Sequence, residues 1–297
     1  MRVLVTGGVG FIGRHVCSAL RDAGHDVVVV DKRDLDGVDV LGDLREQSVR
    51  EAAVTADLDG IVHLAAETSV LGSMERPVLV HEVNVDATAG LLELARTRGV
   101  NVFVLASTNA VVGPHDGTMT ETATLTPLTP YGATKAAAEM LASGYAGAYG
   151  LRAPMLRLGN VYGPGMVEKD SLVPRLFRAA AEGPDGAGIE IYGDGRQVRD
   201  LVHVSDVARA FAMAAQGWPT GPVIVGSGTS HDVLDVLAAA REVSDVEIPA
   251  THVDAKPGEM RAVVLDTGRA RSLGWEPTVS LVDGMRSAWA DFSPVAP

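Results

Sequence analysis

Short apolar runs alternate with amphipathic stretches through the first half of the chain. Four runs are apolar enough for strands buried on both faces, at residues 3–5, 26–31, 61–66 and 102–106. Apolar residues recur with helical spacing after Ile12 and again over residues 84–98, and Gly24 and Gly99 follow these stretches as stop signals. Strands that alternate with helices predict a doubly wound α/β fold with a parallel sheet, in which ligands bind beyond the carboxyl ends of the strands.

The second half of the chain has more glycine and proline after Asn160, a composition typical of loops over a cleft. Helices are predicted at residues 172–181, 233–241, 269–273 and 281–292, and a strand that runs into a helix at residues 200–215. We therefore predict a Rossmann-type domain of residues 1–160, to which residues of about 196–225 return. Residues 161–195 and 226–297 would form a smaller C-terminal substrate-binding domain.

Composition narrows the class of protein. The 297 residues are 46% hydrophobic, and the formal net charge of -13 argues against nucleic acid as a main partner. The single cysteine, Cys17, excludes an internal disulfide framework and fits a reducing compartment. No apolar run reaches the ~18 residues of a membrane span or resembles a signal peptide, so we expect a soluble cytoplasmic protein. No histidine spacing typical of metal ligands occurs, and no metal is predicted.

A glycine-rich segment follows the first predicted strand. Gly8, Gly10 and Gly13 fit the pattern G-x-G-x-x-G, and Gly7 with the last two fits a looser version of it. These glycines allow a tight turn and a close approach of the backbone to a pyrophosphate at the start of a helix. The second strand ends at Asp31, which can accept hydrogen bonds from ribose hydroxyls. The unit predicts a dinucleotide site.

The residues after the second strand bear on the choice between NAD and NADP. The carboxylate of Asp31 repels a 2′-phosphate and favours NAD. Lys32 and Arg33 follow directly and offer charges that suit this phosphate, so the alternative stays open at this point.

A second group of polar residues suggests acid–base chemistry. Thr129 and Pro130 predict the start of a helix, on which Tyr131 and Lys135 lie four residues apart and on one face. A neighbouring positive charge would lower the pKa of the phenol from about 10 and allow it to accept a proton. Ordinary helices also contain this spacing.

Ser107, Thr108 and Asn109 follow the predicted strand at residues 102–106, at the sheet edge where this fold places its site. Such a cluster also forms ordinary turns. Together with Tyr131 and Lys135 it supplies a hydroxyl, a phenol and an ammonium beside a nicotinamide-binding sheet.

With these motifs in order along the chain, the sequence resembles the extended short-chain dehydrogenases/reductases of the NAD-dependent epimerase/dehydratase family, which act on nucleotide sugars. The motifs that carry the resemblance are Thr6-Gly7-Gly8-Val9-Gly10-Phe11-Ile12-Gly13, Gly42-Asp43-Leu44, His63-Leu64-Ala65-Ala66, Ser107-Thr108, Tyr131 to Lys135, Asn160-Val161-Tyr162-Gly163-Pro164-Gly165, and Tyr192-Gly193-Asp194-Gly195 followed by Arg199. Lys256-Pro257-Gly258-Glu259 extends the match toward the C-terminus.

The resemblance implies roles for individual residues. Thr108 would hydrogen-bond the reacting hydroxyl, Tyr131 would be the general base, and Lys135 would lower its pKa and hold the nicotinamide ribose. The residues implied to contact NAD are Gly7, Gly10, Phe11, Ile12, Gly13, Asp31, Lys32, Asp43, Leu44, Leu64, Ala65, Ala66, Asn84, Ser107, Tyr131 and Lys135. The residues implied to contact the substrate are Thr108, Asn160, Ser171, Leu172, Tyr192 and Arg199, with Lys256 or Arg261 as a second basic contact.

The sequence also departs from the family pattern. Asn109 and Ala110 stand where the family's dehydratases carry Asp-Glu, which argues against a 4,6-dehydratase. Val112 replaces the usual Tyr, so one polar group near the site is missing. The segment between Asp31 and Asp43 is shorter than usual, which bears on the adenosine contacts.

The resemblance implies an NAD-dependent epimerase that interconverts the C4 epimers of a UDP-hexose or a related nucleotide sugar through a transient 4-keto intermediate. A nucleotide-sugar reductase or dehydratase is an alternative enzyme, and a non-catalytic NAD sensor is an alternative of another class. The family often forms homodimers through a four-helix interface. Here it would use the helices near residues 84–98 and 131–148, with close packing at Ala136, Ala137, Ala138, Ala142 and Gly144.

Overall fold

We describe the structure from a computed structural model, which covers residues 1–254 and 262–293. In chain order the strands are β1 (Arg2–Thr6), β2 (Asp26–Asp31), β3 (Val40–Leu41), β4 (Gly60–His63), β5 (Val102–Thr108), β6 (Thr118–Met119), β7 (Pro154–Leu158), β8 (Asn160–Tyr162), β9 (Ile189–Tyr192), β10 (Val198–His203), β11 (Gly221–Val225), β12 (Ser230–Asp232), β13 (Ala250–Val253) and β14 (Val264–Leu265).

The helices, also in chain order, are α1 (Phe11–Asp22), α2 (Gln47–Ala53), α3 (Val70–Glu75), α4 (Pro77–His81), α5 (Ala87–Arg98), α6 (Pro130–Tyr149), α7 (Leu172–Glu182), α8 (Val204–Gly217), α9 (Val233–Ser244), α10 (Gly268–Ser272) and α11 (Leu281–Trp289). A π-helical turn at Glu82–Asp86 leads into α5, and a 3-10 turn at Asn109–Val111 follows β5. Among the described residues, no helix is both long and apolar enough to cross a membrane.

Seven parallel strands form the main sheet, in the order β11-β7-β5-β4-β1-β2-β3. Alternate residues of each strand enter the cores on opposite faces. In β1, Val3 and Val5 pack in the core that contains α1 and α8, whereas Leu4 packs in the core beneath α5 and α6. The sheet is therefore buried on both faces, and the predicted doubly wound α/β fold is confirmed.

Helix α6 starts where the sequence predicts. The Thr129 side chain accepts a hydrogen bond from the Gly132 N–H, Pro130 is the first helical residue, and Gly150 ends the helix with a φ of 73°. The helix covers β5 with its buried face, on which Ala138 and Ala142 are fully enclosed. One face of α6 is thus fixed against the sheet.

The second half of the chain builds three smaller sheets beside the main one. Strand β10 pairs with β8 and β12, β9 pairs with β13, and β14 pairs with β6. A separate apolar core joins the first two of these sheets to α7, α9 and α11, whereas Met119 and Leu265 of the third sheet pack in another core. Strand β11 belongs to the main sheet and helix α8 packs against that sheet, whereas β10 pairs with β8 in a smaller sheet. The predicted segment of about 196–225 therefore contributes to the main sheet and to a smaller one. The division into two domains stays a prediction.

Asp206, in the first turn of α8, ties the C-terminal segment to the main sheet. Its buried carboxylate accepts hydrogen bonds from Arg209, from the Thr278 N–H and hydroxyl, and from the Val279 N–H. Its backbone carbonyl accepts a bond from the indole of Trp275, which is itself fully buried. Burial alone would raise the pKa of Asp206, but the hydrogen bonds outweigh this effect and lower the pKa below 3.8.

Replacing Asp206 with Asn should lower the free energy of unfolding by about 2 kcal/mol at neutral pH, because the amide cannot accept every hydrogen bond that the carboxylate accepts. The folded-state pKa is lowered, so the ionic contribution is present above 3.8 and is lost as the pH falls through the folded-state value. Urea unfolding from about pH 7 to about pH 3 measures both effects. The exposed Asp22→Asn serves as the control. A destabilisation that does not shrink at low pH would contradict this account.

Candidate cofactor and substrate cavities

The loop between β1 and α1 approaches neighbouring backbone so closely that only glycine fits. A Cβ atom on Gly13 would lie 2.1 Å from the carbonyl oxygen of Gly7, and one on Gly7 would lie 3.0 Å from the backbone of Ala65. Gly7 also has a φ of 70°, which side chains disfavour. The loop therefore leaves its backbone open at the N-terminus of α1, where a pyrophosphate binds in this kind of fold.

A cavity of about 510 Å³ lies over this loop and runs along the carboxyl edge of the sheet. It is lined by all but one of the residues that the sequence analysis assigned to the cofactor, namely Gly7, Gly10, Phe11, Ile12, Gly13, Asp31, Lys32, Asp43, Leu44, Leu64, Ala65, Ala66, Ser107, Tyr131 and Lys135. The cavity runs from the acid at the end of β2 to helix α6, a span that suits an elongated ligand.

The short segment after Asp31 still reaches the cavity. Strand β3 pairs with the end of β2, with Leu41 opposite Asp31, and this brings Asp43 to the cavity wall. The Asp43 carboxylate accepts hydrogen bonds from Arg45, which hold its pKa below the ordinary value. The reduced length of this segment therefore does not remove Asp43 from the adenosine end.

Acidic partners neutralise both basic residues after β2. Arg33 donates to the two carboxylate oxygens of Asp31 at 3.3 and 3.4 Å. The ammonium of Lys32 lies 3.0 Å from a carboxylate oxygen of Glu67. Either cation would have to break its ion pair before it could bind the 2′-phosphate of NADP.

Asn84 is the one predicted cofactor contact that does not line the cavity. It lies in the π-helical turn and is buried, and its amide bonds the backbone N–H and carbonyl of Glu67 and the hydroxyl of Thr134. These bonds join the loop after β4 to α6. In this structure Asn84 supports the cavity wall from behind, and its contact with the cofactor stays a prediction.

A second cavity of about 490 Å³ lies between the main sheet and the smaller sheets. It is lined by six of the predicted substrate residues, namely Thr108, Asn160, Ser171, Leu172, Tyr192 and Arg199. Lys256 and Arg261 lie outside the described residues. The two cavities are adjacent, and the residues that line both are Phe11, Ile12, Thr68, Ser107, Tyr131, Leu158 and Lys169.

Tyr131 and Thr108 are in hydrogen-bond contact where the cavities meet. Burial raises the pKa of Tyr131 above 10, and the bond from Thr108 opposes this rise only in part. The pKa of Tyr131 therefore lies above 10 because the cost of burying a phenolate dominates, and the role of Lys135 in opposing this rise stays a prediction. Burial also lowers the pKa of Lys135, to about 8, against the opposing charge of Glu139.

The sequence analysis missed several residues at the site. Lys169, in the loop before α7, lines both cavities, and Glu139 and Arg157 form a buried ion pair behind Lys135. Glu139 lies four residues after Lys135, the same spacing that links Lys135 to Tyr131, and this signal could have pointed to it. In residues 1–254 and 262–293, no group of three or more His, Cys, Asp or Glu side chains is placed to hold a metal ion.

Comparisons with known proteins agree with this arrangement. A model of the NAD dependent epimerase/dehydratase family matches residues 3–225. The putative UDP-glucose 4-epimerase of Methanocaldococcus jannaschii is 32% identical over 300 residues, which cover 96% of each chain. The UDP-glucose 4-epimerase of Thermus thermophilus, solved with NAD, superimposes with a TM-score of 0.91 at 35% identity, covering 98% of this chain and 99% of that one. The enzyme of Thermotoga maritima, solved with UDP-glucose, gives 0.91 at 30% identity and 98% coverage of both chains.

Replacing Gly13 with Ala should weaken dinucleotide binding at least about tenfold, equivalent to about 1.4 kcal/mol, because the new methyl group displaces the Gly7 carbonyl from the loop. Titration of the protein with the dinucleotide by calorimetry measures the effect. Gly217→Ala is the matched control, since a Cβ atom there meets nothing within 4 Å. Equal affinity in the two variants would show that the loop geometry does not govern binding.

Proposed function

The chain belongs to the NAD-dependent epimerase/dehydratase family, and from this premise we propose that it is an NAD-dependent 4-epimerase of a UDP-hexose or a related nucleotide sugar. The observation that carries the proposal is the position of Tyr131. Its phenol stands where a cavity suited to a dinucleotide meets a second cavity of nearly equal size, and Thr108 bonds it there. An enzyme that oxidises and reduces a bound sugar needs an acid–base group at this junction.

The residues of the first cavity fit NAD. The glycine loop offers open backbone for the pyrophosphate, Asp31 suits the adenosine ribose, and the small residues Ala65 and Ala66 allow close approach along the wall. Lys135 would hold the nicotinamide ribose at the far end. NAD is favoured over NADP because the carboxylate of Asp31 repels a 2′-phosphate and because Arg33 and Lys32 already pair with acids.

When bound, NAD supplies the reversible oxidation of the sugar at C4. The chain supplies proton transfer and orientation. Tyr131 would accept the proton of the C4 hydroxyl as the 4-keto sugar forms, and it would return a proton when the sugar is reduced on its other face. Thr108 would hold the reacting oxygen and stabilise charge on it. Burial raises the pKa of Tyr131, and we propose that the positive charge of Lys135 joins the Thr108 hydroxyl in favouring the phenolate.

The second cavity supplies contacts for the nucleotide half of the substrate. Arg199 suits the diphosphate because its planar guanidinium can make two charge-assisted hydrogen bonds, and Asn160 lines the same cavity. Tyr192 would lie against the base, near Ser171 and Leu172. We retain Lys256 or Arg261 as the second basic contact.

The alternative functions find less support. Neither Asn109 nor Ala110 lines either of these two cavities, and neither carries the acid that a 4,6-dehydratase uses there. A reductase would consume NAD(P)H and would depend on added cofactor. A protein that only senses NAD has no need for Tyr131 at the junction of two cavities. A cytoplasmic location fits Cys17, which is a buried free thiol.

We also propose a homodimer formed through the helices on the α6 side of the sheet. The predicted contacts need correction, because Ala138 and Ala142 are fully buried in the core of the subunit and cannot touch a partner. Met140 is 56% exposed on the outer face of α6, and Leu71, Met74 and Val78 are exposed on α3 and α4, which pack against α6. These apolar side chains offer a surface for a second copy.

The purified protein should interconvert UDP-glucose or UDP-N-acetylglucosamine with its C4 epimer without added cofactor, and Tyr131→Phe should lower turnover by about 10²–10⁴-fold while leaving the fold intact. Nucleotide sugars separated by chromatography give the rate, and circular dichroism checks the fold. Tyr149→Phe, on the exposed end of the same helix, is the control and should keep normal turnover.

Other results of this experiment would redirect the proposal. Turnover only with added NADPH would support a reductase. Near-normal turnover in Tyr131→Phe would remove the phenol from its role. Loss of turnover in both tyrosine variants would mean that the assay reports a general defect of the helix.

The dimer makes a separate prediction. Met140→Arg should shift the protein from dimer to monomer at micromolar concentration, because it places a charge in an apolar contact. Sedimentation velocity measures the change. Leu35→Arg, at another exposed apolar residue, should leave the dimer intact. A wild-type protein that sediments as a monomer would contradict the proposal.

A further inference from the structure

A buried carboxylate lies behind the residues of the catalytic helix. Glu139 is 1% exposed and lies one helical turn beyond Lys135, on the same face of α6 as Tyr131. A charged group so deep in a core must be paired and hydrogen-bonded. Nothing in the proposed chemistry of proton transfer uses it directly, so its presence needs a separate explanation.

Two neighbouring strands supply the partners of this carboxylate. Arg157 of β7 makes a two-pronged contact, with Nε 3.0 Å from Oε1 and Nη2 2.7 Å from Oε2 of Glu139. The Ser107 hydroxyl of β5 donates to Oε1 at 2.5 Å. Ser107 and Arg157 are direct partners in the parallel pairing of β5 with β7, so both side chains point at α6 from adjacent strands. The carboxylate is thereby fixed in place.

The charges around Lys135 are few. Glu139 is the acid that favours its protonated form, while burial opposes that form and sets the pKa at about 8. On β4, His63 is buried between Thr6 and Thr88, and burial lowers its pKa to about 3, so it stays neutral. The acids Glu75 and Glu93 on the helices packed against α6 are exposed.

We propose that Glu139 is a positioning residue which, held by Arg157 and Ser107, presents one fixed negative charge to Lys135 and keeps its ammonium protonated inside the cavity. Arg157 has two effects in this arrangement. It holds the Glu139 carboxylate in one orientation, and by occupying both carboxylate oxygens it prevents Lys135 from forming a direct ion pair with Glu139. The ammonium therefore stays charged and faces the ligand. This inference rests on the proposed role of Lys135, but its test does not depend on which sugar is the substrate.

The four lysines of the chain allow Lys135 to be titrated directly. Trace labelling with acetic anhydride over a range of pH, with each lysine quantified by mass spectrometry, gives the pH at which each amine becomes reactive. Lys135 lines the cavity and is 3% exposed, so the reagent must reach it through the cavity, and the exposed Lys32 serves as the internal reference. In Glu139→Gln we expect the midpoint of Lys135 to fall by about 1–2 pH units, since removing the acid disfavours the charged amine.

Further variants separate charge from structure. Glu139→Asp and Arg157→Lys keep both charges but lose part of the geometry, so they should lower the melting temperature and leave the midpoint of Lys135 near its original value. Glu139→Gln with Arg157→Met removes both ionic partners and avoids an uncompensated buried cation if the single variant does not fold. Its midpoint should also fall.

The outcomes are distinct. A midpoint that stays unchanged in Glu139→Gln or in the double variant, with only the melting temperature lowered, would show that the ion pair is merely structural and would overturn the inference. A lowered midpoint in a protein that epimerises no nucleotide sugar would leave this inference standing and refute the proposed function.

Discussion

The burial of one face of α6 against the main sheet determines where Tyr131 and Lys135 stand. Thr129 and Pro130 fix the first turn of this helix, and Ala138 and Ala142 let it lie close on β5. Because residues four apart share a face, the burial that holds these alanines also places Tyr131 and Lys135 at the carboxyl edge of the sheet. The same packing disfavours the charged forms of both side chains, and Thr108 and Glu139 oppose this effect in part.

The cofactor cavity depends on a second constraint, the close approach of backbones around the glycine loop. Gly7 lies against Ala65 and Gly13 lies against Gly7, so the loop, the end of β4 and the start of α1 form one rigid wall. The Thr6 hydroxyl reinforces this wall by accepting hydrogen bonds from the N–H groups of Leu64 and Ala65. A side chain at Gly7 would press on the backbone after β4, and one at Gly13 would press on the loop itself.

Much of this architecture can be predicted from the sequence because buried parallel strands and glycine loops have strong local signals. The features that could be predicted in this way are the strand and loop around Gly7 to Gly13, the start of α6 and most of the cavity lining. Other features could not be predicted, because sequence spacing does not reveal desolvation or which face is covered. Spacing alone could not show that burial raises the pKa of Tyr131. Nor could it show that the side-chain amide of Asn84 forms hydrogen bonds with Glu67 and Thr134.

The meeting of the two cavities at Tyr131 explains why one phenol can serve both halves of an epimerisation. Tyr131 lines the dinucleotide cavity and the second cavity, with Thr108 bonded to it from the end of β5. A proton must leave the sugar oxygen when the carbon is oxidised and return to it when the carbon is reduced, whichever face is presented. The base lies on a helix that cannot shift without disrupting a buried core. It therefore keeps its position relative to the cofactor while the sugar rotates to present its other face.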